Sequence, residues 1–212
     1  MAPIPPAVQL WGRLSSLNVR KAVWAAQEAG VPFLRMDAGM RFGVVNTAPY
    51  LAMNPNALVP TLQDGALVLW ESNVIVRYLC ARYAPERLYP ADLATRFEAE
   101  RWMDWQQTTF NPAGGQAFLQ WIRTPTEQRD IAAIARSVAA TEPLLRMVDT
   151  HLGTHPFIAG AQFTMADIPL GCEVHRWFGL PQPRPRLANI ERWYAALQQR
   201  PAALGVLDLE LS

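Results

Sequence analysis

Residues 59–79 read Val59-Pro60-Thr61-Leu62-Gln63-Asp64-Gly65-Ala66-Leu67-Val68-Leu69-Trp70-Glu71-Ser72-Asn73-Val74-Ile75-Val76-Arg77-Tyr78-Leu79. Two short apolar runs, Pro60-Thr61-Leu62 and Leu67-Val68-Leu69, flank an Asp64-Gly65 turn, which is the pattern of a tight hairpin. Ser72 then stands where a hydroxyl caps a helix, whose apolar stripe is Val74, Ile75, Tyr78 and Leu79. A ββα unit is predicted here.

Upstream, Val8-Gln9-Leu10-Trp11 is a strand candidate, followed by a loop over Gly12 to Ser16 and a helix carrying Val19, Ala22, Val23 and Ala26 at helical spacing. Gly30 and Pro32 stop that helix. Phe33 to Asp37 reads as a second strand, and Gly39 to Asn56 as an irregular crossover with one helical turn around Tyr50. The order is β-α-β, crossover, β-β-α. Downstream of about Leu93 no alternating run remains and every apolar cluster has helical period. A helix from about Ala94 is expected to break or bend at Asn111-Pro112, because proline lacks a backbone donor. A second is expected over Thr126 to Leu152. A third opens at Thr164-Met165-Ala166-Asp167, a capping-box spacing with Asp in place of Glu. Shorter helices near Leu187 to Gln199 and Pro201 to Leu204 follow a Pro181-to-Pro185 linker. The chain thus divides into a mixed α/β domain, 1–88, and an all-α domain, 93–212.

Hydrophobic residues make up 50% of the chain and charged residues 17%, against about 25% charged in an ordinary soluble domain. So little charge points to apolar surface covered by a partner. A net charge of +1 gives no field that would collect nucleic acid or an anionic membrane. Cys80 and Cys172 have neither a metal spacing nor the density of a disulfide framework, which suits a reducing compartment. His151, His155 and His175 share no metal spacing either. Met1 to Pro6 lacks the basic flank and apolar run of a signal peptide, and no stretch approaches the ~20 apolar residues of a membrane span. The expectation is a soluble cytoplasmic protein with no metal, nucleic-acid or membrane partner.

Three local features carry the candidate chemistry. Ser15-Ser16-Leu17-Asn18 lies between the first strand and first helix, where free backbone N–H groups favour an anion; the simpler reading is that Ser16 only caps the helix. Leu58-Val59-Pro60 precedes the hairpin, and a cis Pro60 would turn the Val59 N–H and C=O outward for an extended peptide to pair with them. Glu71-Ser72 opens the next helix, where a carboxylate beside a capping hydroxyl suits a zwitterion.

In this order the features resemble the glutathione transferase superfamily. Val59 to Gly65 and Leu69 to Leu79 are a specific match to its N-terminal half. Phe157-Ile158-Ala159-Gly160 and Phe163-Thr164-Met165-Ala166-Asp167-Ile168 look like the capped helix of its C-terminal half, and Trp105-Gln106-Gln107-Thr108-Thr109 is similar to theta-like bacterial members. The resemblance implies a thioredoxin-like βαβαββα domain followed by an all-helical one, and glutathione as co-substrate. Anchored on Val31-Pro32, it implies Ser16 as the theta-type catalytic serine, with Ser15 the nearest rival, and Asn18 as an assisting residue. It further implies that Val59, with Pro60, pairs with the cysteinyl backbone of glutathione, and that Glu71 and Ser72 hold its γ-glutamyl end. Leu58 replaces a polar residue common before Val-Pro, and Arg41 is the substitute for holding the glycine carboxylate. Leu14, Phe110 and Trp177 are the expected wall of an electrophile pocket.

The activating position holds neither the cysteine of the beta and omega classes nor the tyrosine of the alpha, mu and pi classes, and the zeta pattern is missing. The implied activity is conjugation of a serine-stabilised glutathione thiolate to a small hydrophobic electrophile, by a homodimer serving detoxification. Two alternatives stand beside it: a glutathione-dependent disulfide reductase or peroxidase, and a binding protein that keeps the fold without catalysis.

Overall fold

A computed structural model describes residues 8–212; the reading of Met1 to Pro6 falls outside them. The chain divides between Tyr89 and Pro90 into two compact units.

In the first unit, β1 (Val8–Trp11) lies at the centre of a four-stranded sheet of order β2-β1-β3-β4, parallel to β2 (Phe33–Met36) and antiparallel to β3 (Thr61–Asp64). β3 pairs antiparallel with β4 (Leu67–Trp70), and Asp64 faces Leu67 across the rung. The turn therefore consists of Gly65 and Ala66, one residue later than expected, with Gly65 at φ 59° as a two-residue hairpin requires. The helix α1 (Leu17–Ala29) ends at Gly30, whose φ of 70° lets its N–H and that of Val31 close back on the Ala26 carbonyl. The crossover contains a 3₁₀ turn, Met40–Phe42, and the short helix α2 (Ala48–Met53). α3 (Ser72–Tyr83) follows the hairpin and packs along α1. Leu10, Leu62, Val19, Trp24, Ile75 and Leu79 form the core of this unit.

The second unit is helical. α4 (Leu93–Trp105) passes through a π-helical turn, Gln106–Phe110, into α5 (Asn111–Phe118), with a further wide turn at Leu119–Arg123. Of the break or bend expected at Asn111-Pro112, the break does not occur. Pro112 falls in the first turn of α5, where the missing N–H costs least, and the wider turn before it makes room for the ring. The helix expected from Thr126 starts later, as α6 (Ile131–Leu152): Asp130 caps it through the Ala133 N–H at 2.9 Å, and Thr126–Gln128 forms a separate 3₁₀ turn. The α7 helix (Asp167–Phe178) precedes α8 (Ala188–Gln198) and a last 3₁₀ turn, Pro201–Ala203. The first backbone amides of α8 are capped from another helix. Asp149 Oδ1 accepts from the N–H groups of Asn189 and Ile190, while Arg192 returns a bond to the Leu152 carbonyl.

The capping-box reading at Thr164 finds its counterpart in Asp167. Its Oδ2 accepts from the Thr164 N–H at 2.9 Å, and its Oδ1 from the Ile158 N–H at 3.0 Å and the Trp193 indole at 2.8 Å. One fully buried carboxyl thus ties the 158–164 loop to α7 and α8. Burial pushes it up to about 6, against the downward pull of these donors and of Arg200. The folded protein then binds this proton more tightly than the unfolded chain. Its contribution to stability is fullest below the ordinary aspartate value of about 4, and is lost as the pH rises through 6. The stability difference between the wild type and Asp167→Asn is expected to shrink by up to about 3 kcal/mol over that window, read from urea unfolding at matched pH; a pH-independent difference would refute this.

Candidate functional site

At one edge of the sheet the rungs run Met36, Trp11, Thr61, Trp70. The segments leaving that edge therefore come in a fixed order: the loop holding Gly39, then Gly12 and Arg13, then the Val59-Pro60 corner, then Glu71. The N-termini of α1 and α3 emerge on the same side, so their free amides converge there.

The loop between β1 and α1 is held at nearly every carbonyl. Gly12 C=O accepts from Arg35 Nη1 at 2.7 Å, Arg13 C=O from the Ser16 N–H at 3.1 Å, and Leu14 C=O from Arg20 Nε at 2.8 Å. Gly12 has φ 152° and lies so close to Val19 that a Cβ would stand 2.4 Å from its methyl. Ser16 occupies the N-cap in extended conformation, its carbonyl accepting from Val19 and Arg20. Its hydroxyl makes no capping bond to the helix amides, so the simple capping reading does not describe it. Ser15 and Leu14 sit half-buried beside it.

The Val59-Pro60 peptide bond is cis. Its corner is fixed by a buried polar cluster from α2. Tyr50 Oη donates to the Leu58 carbonyl at 2.7 Å, and Asn54 Nδ2 donates to the same carbonyl and to Thr61 Oγ1, each at 3.0 Å. Because the phenol proton goes to Leu58, the 2.8 Å contact between Thr61 Oγ1 and Tyr50 Oη has the threonine as donor. Burial raises the Tyr50 phenol above its ordinary value, which keeps that proton in place. Asn54 Oδ1 in turn accepts from the Asn56 N–H at 3.1 Å. Val59 projects from this corner, with its Cβ 3.3 Å from where a Gly12 Cβ would be.

Glu71 is exposed and caps α3 at φ 72°, a left-handed conformation that non-glycine residues rarely hold. Ser72 is 3% exposed, and its hydroxyl donates to Asn18 Oδ1 at 3.3 Å. That bond joins the starts of the two helices. It leaves the Asn18 NH₂ as its donor end. Arg41 is exposed and lies over the Phe42 ring at 4.8 Å.

Two of the three residues expected to wall an electrophile pocket, Phe110 and Trp177, are buried. Phe110 is buried against Trp105, with ring centroids 5.3 Å apart, and Trp177 is buried against Gly114. Both rings belong to the interior of the helical unit, as apolar residues at helical spacing usually do. Tyr50, Asn54, Arg20 and Arg35 were missed. The four-residue spacing of Tyr50, in α2, and Asn54, at its C-cap, is a signal that could have suggested that pair. No group of three or more His, Cys, Asp or Glu side chains among the described residues is arranged to hold a metal ion.

The family model for the glutathione S-transferase N-terminal domain matches residues 6–81, and that for the C-terminal domain matches 131–196. The chain is 40% identical to glutathione S-transferase GstB of Escherichia coli over 97% of its own length and all of the relative's. It is 29% identical to glutathione S-transferase 3 of Zea mays, covering 95% of this chain and 92% of the relative. Among solved structures, the theta class glutathione S-transferase of Xanthomonas axonopodis pv. citri with glutathione bound superposes with a TM-score of 0.95 at 47% identity, covering 98% of this chain and all of that one. Its apo form superposes with a TM-score of 0.86. The chain belongs to the glutathione S-transferase family.

Proposed function

We propose that this protein is a glutathione transferase that holds glutathione across the described sheet edge and delivers its thiolate to a small hydrophobic electrophile. The Ser16 hydroxyl carries the reading, standing at the start of α1 without a bond to the helix it begins. A free thiol has a pKa of ~8.5, so mostly thiol is present at neutral pH. A donor hydroxyl, the Asn18 amide and the positive end of a helix all favour the anion. Ser16 stays protonated throughout, since an alcohol is too weak a base to take the thiol proton; it donates to the sulfur. The thiolate then forms a C–S bond as the electrophile's leaving-group bond breaks. Glu71 meets the γ-glutamyl ammonium, the amides at the start of α3 meet its carboxylate, and Val59 pairs with the cysteinyl backbone. Leu14, on the same loop as Ser16, forms an apolar edge for the electrophile. The likeness to a theta class enzyme with glutathione bound supports this assignment.

The working unit is a homodimer. Leu93 and Phe97 on α4 are 61% and 66% exposed, and a cleft of about 660 Å³ lined by Trp102, Trp105 and Met147 opens between α4 and α6. That much exposed apolar surface suits a second copy. The free thiols of Cys80 and Cys172 suit a cytoplasmic, reducing setting, and detoxification is the natural use of such an activity.

Loss of one charge-assisted hydrogen bond in Ser16→Ala is expected to lower kcat roughly 10- to 100-fold and to raise the pKa of bound glutathione by about 1 to 2 pH units. Thiolate absorption and turnover with an aryl halide would check both, and if neither moved the assignment would be wrong. Asn54→Ala should cost about 1 to 3 kcal/mol of stability and raise the KM for glutathione more than it lowers kcat; an unchanged KM would detach this cluster from the site. Sedimentation should give twice the 23.7 kDa chain mass at micromolar concentration, and monomers alone would count against the dimer.

A further inference from the structure

The cysteine and the γ-glutamyl head have partners in this reading, whereas the glycine carboxylate has only Arg41, which is exposed and lies on Phe42. The order of segments along the sheet edge decides where that carboxylate falls. Glu71 leaves β4, Val59 enters β3, and Gly12-Arg13 and Gly39 follow β1 and β2 on the far side. Two strand spacings cover about 10 Å, close to the span of about 10 Å of three extended residues. A tripeptide with its head at Glu71 and its cysteine at Val59 therefore brings its glycine to the side of Arg13.

The side chain of Arg13 reaches that place. Its Nη1 stands 2.7 Å from where a Cβ of Gly39 would be, and the Val59 methyls meet the same point at 3.6 and 3.7 Å. Gly39 is held there at φ 83° by its N–H to the Gly43 carbonyl at 2.8 Å and by its own carbonyl, which accepts from Phe42. Any side chain at residue 39 would displace the guanidinium. A guanidinium presents paired N–H donors that match a carboxylate, and still has donors left after one or two bonds to protein.

We infer that Arg13, rather than Arg41, binds the glycine carboxylate of glutathione, an assignment that rests on the glutathione reading above. Calorimetric titration of the full chain with glutathione and with its isosteric amide, γ-Glu-Cys-Gly-NH₂, tests it. The wild type is expected to favour the acid by about 10-fold or more. Arg13→Gln should bind both ligands alike, with the wild type's affinity for the amide, and Arg41→Gln should keep the full preference. The intact amide affinity also shows that the variant is folded. If Arg13→Gln does not fold, Arg13→Lys, which keeps the charge but not the paired geometry, should show a reduced preference. The inference is overturned if an Arg13 variant keeps the full preference, if Arg13→Gln loses affinity for both ligands equally, or if Arg41→Gln abolishes the preference. A wild type that binds acid and amide equally well sinks this inference and leaves the glutathione reading standing; one that binds neither sinks that reading as well.

Discussion

The Leu58 carbonyl, held by both the Tyr50 phenol and the Asn54 amide, is the constraint from which the candidate site follows. That carbonyl takes two donors, while the Thr61 hydroxyl closes the ring of bonds. The short helix α2 has little core of its own beyond Tyr50. Its main service is to turn these two side chains onto the corner, so that the main chain of Val59 is fixed before any ligand arrives. Preorganisation of this kind moves the ordering cost from binding to folding.

The same logic governs the loop that carries Ser16. Arg35 and Arg20 approach from the second strand and from the first turns of α1, and each takes a carbonyl that a free loop would leave to water. Arg20 is 4% exposed. Burying a cation in this way is worthwhile only where its hydrogen bonds are well made, and the outcome is a short loop with few ways to move. The Ser72 to Asn18 bond then sets the starts of two helices against each other, adding their positive ends on one face.

In the helical unit, buried polar groups serve architecture instead. Glu173 accepts from Gln106 at 2.8 Å and from Arg176, and Arg176 reaches the Asn111 carbonyl. These bonds bracket the wide turn before Pro112 from α7, which explains why a sequence that reads as a break is a continuous helix. Asp167 and Asp149 act alike, each joining segments distant in the chain by accepting several N–H groups at once.

Much of this was legible in the residues alone. The short apolar runs of β1, β3 and β4, the helical stripes after Leu93, and the turn and cap signals at Gly30, Gly65 and Asp167 arise from interactions a few residues long, which a linear sequence records directly. Ser16, Val59 and Glu71 could be named for the same reason, because each stands at a strand or helix end. What needed the tertiary structure were the bonds between segments: Tyr50 and Asn54 on Leu58, Arg20 on Leu14, Asp149 capping α8, and the reach of Arg13 to Gly39. The burial of Phe110 and Trp177 was equally hidden, since helical spacing gives the side of a helix on which a ring lies but not what meets it there. Sequence determined the elements and the residues at their ends; the close approach of side chains from other segments to the bare backbone of Gly12 and Gly39 decided which of those residues face one another.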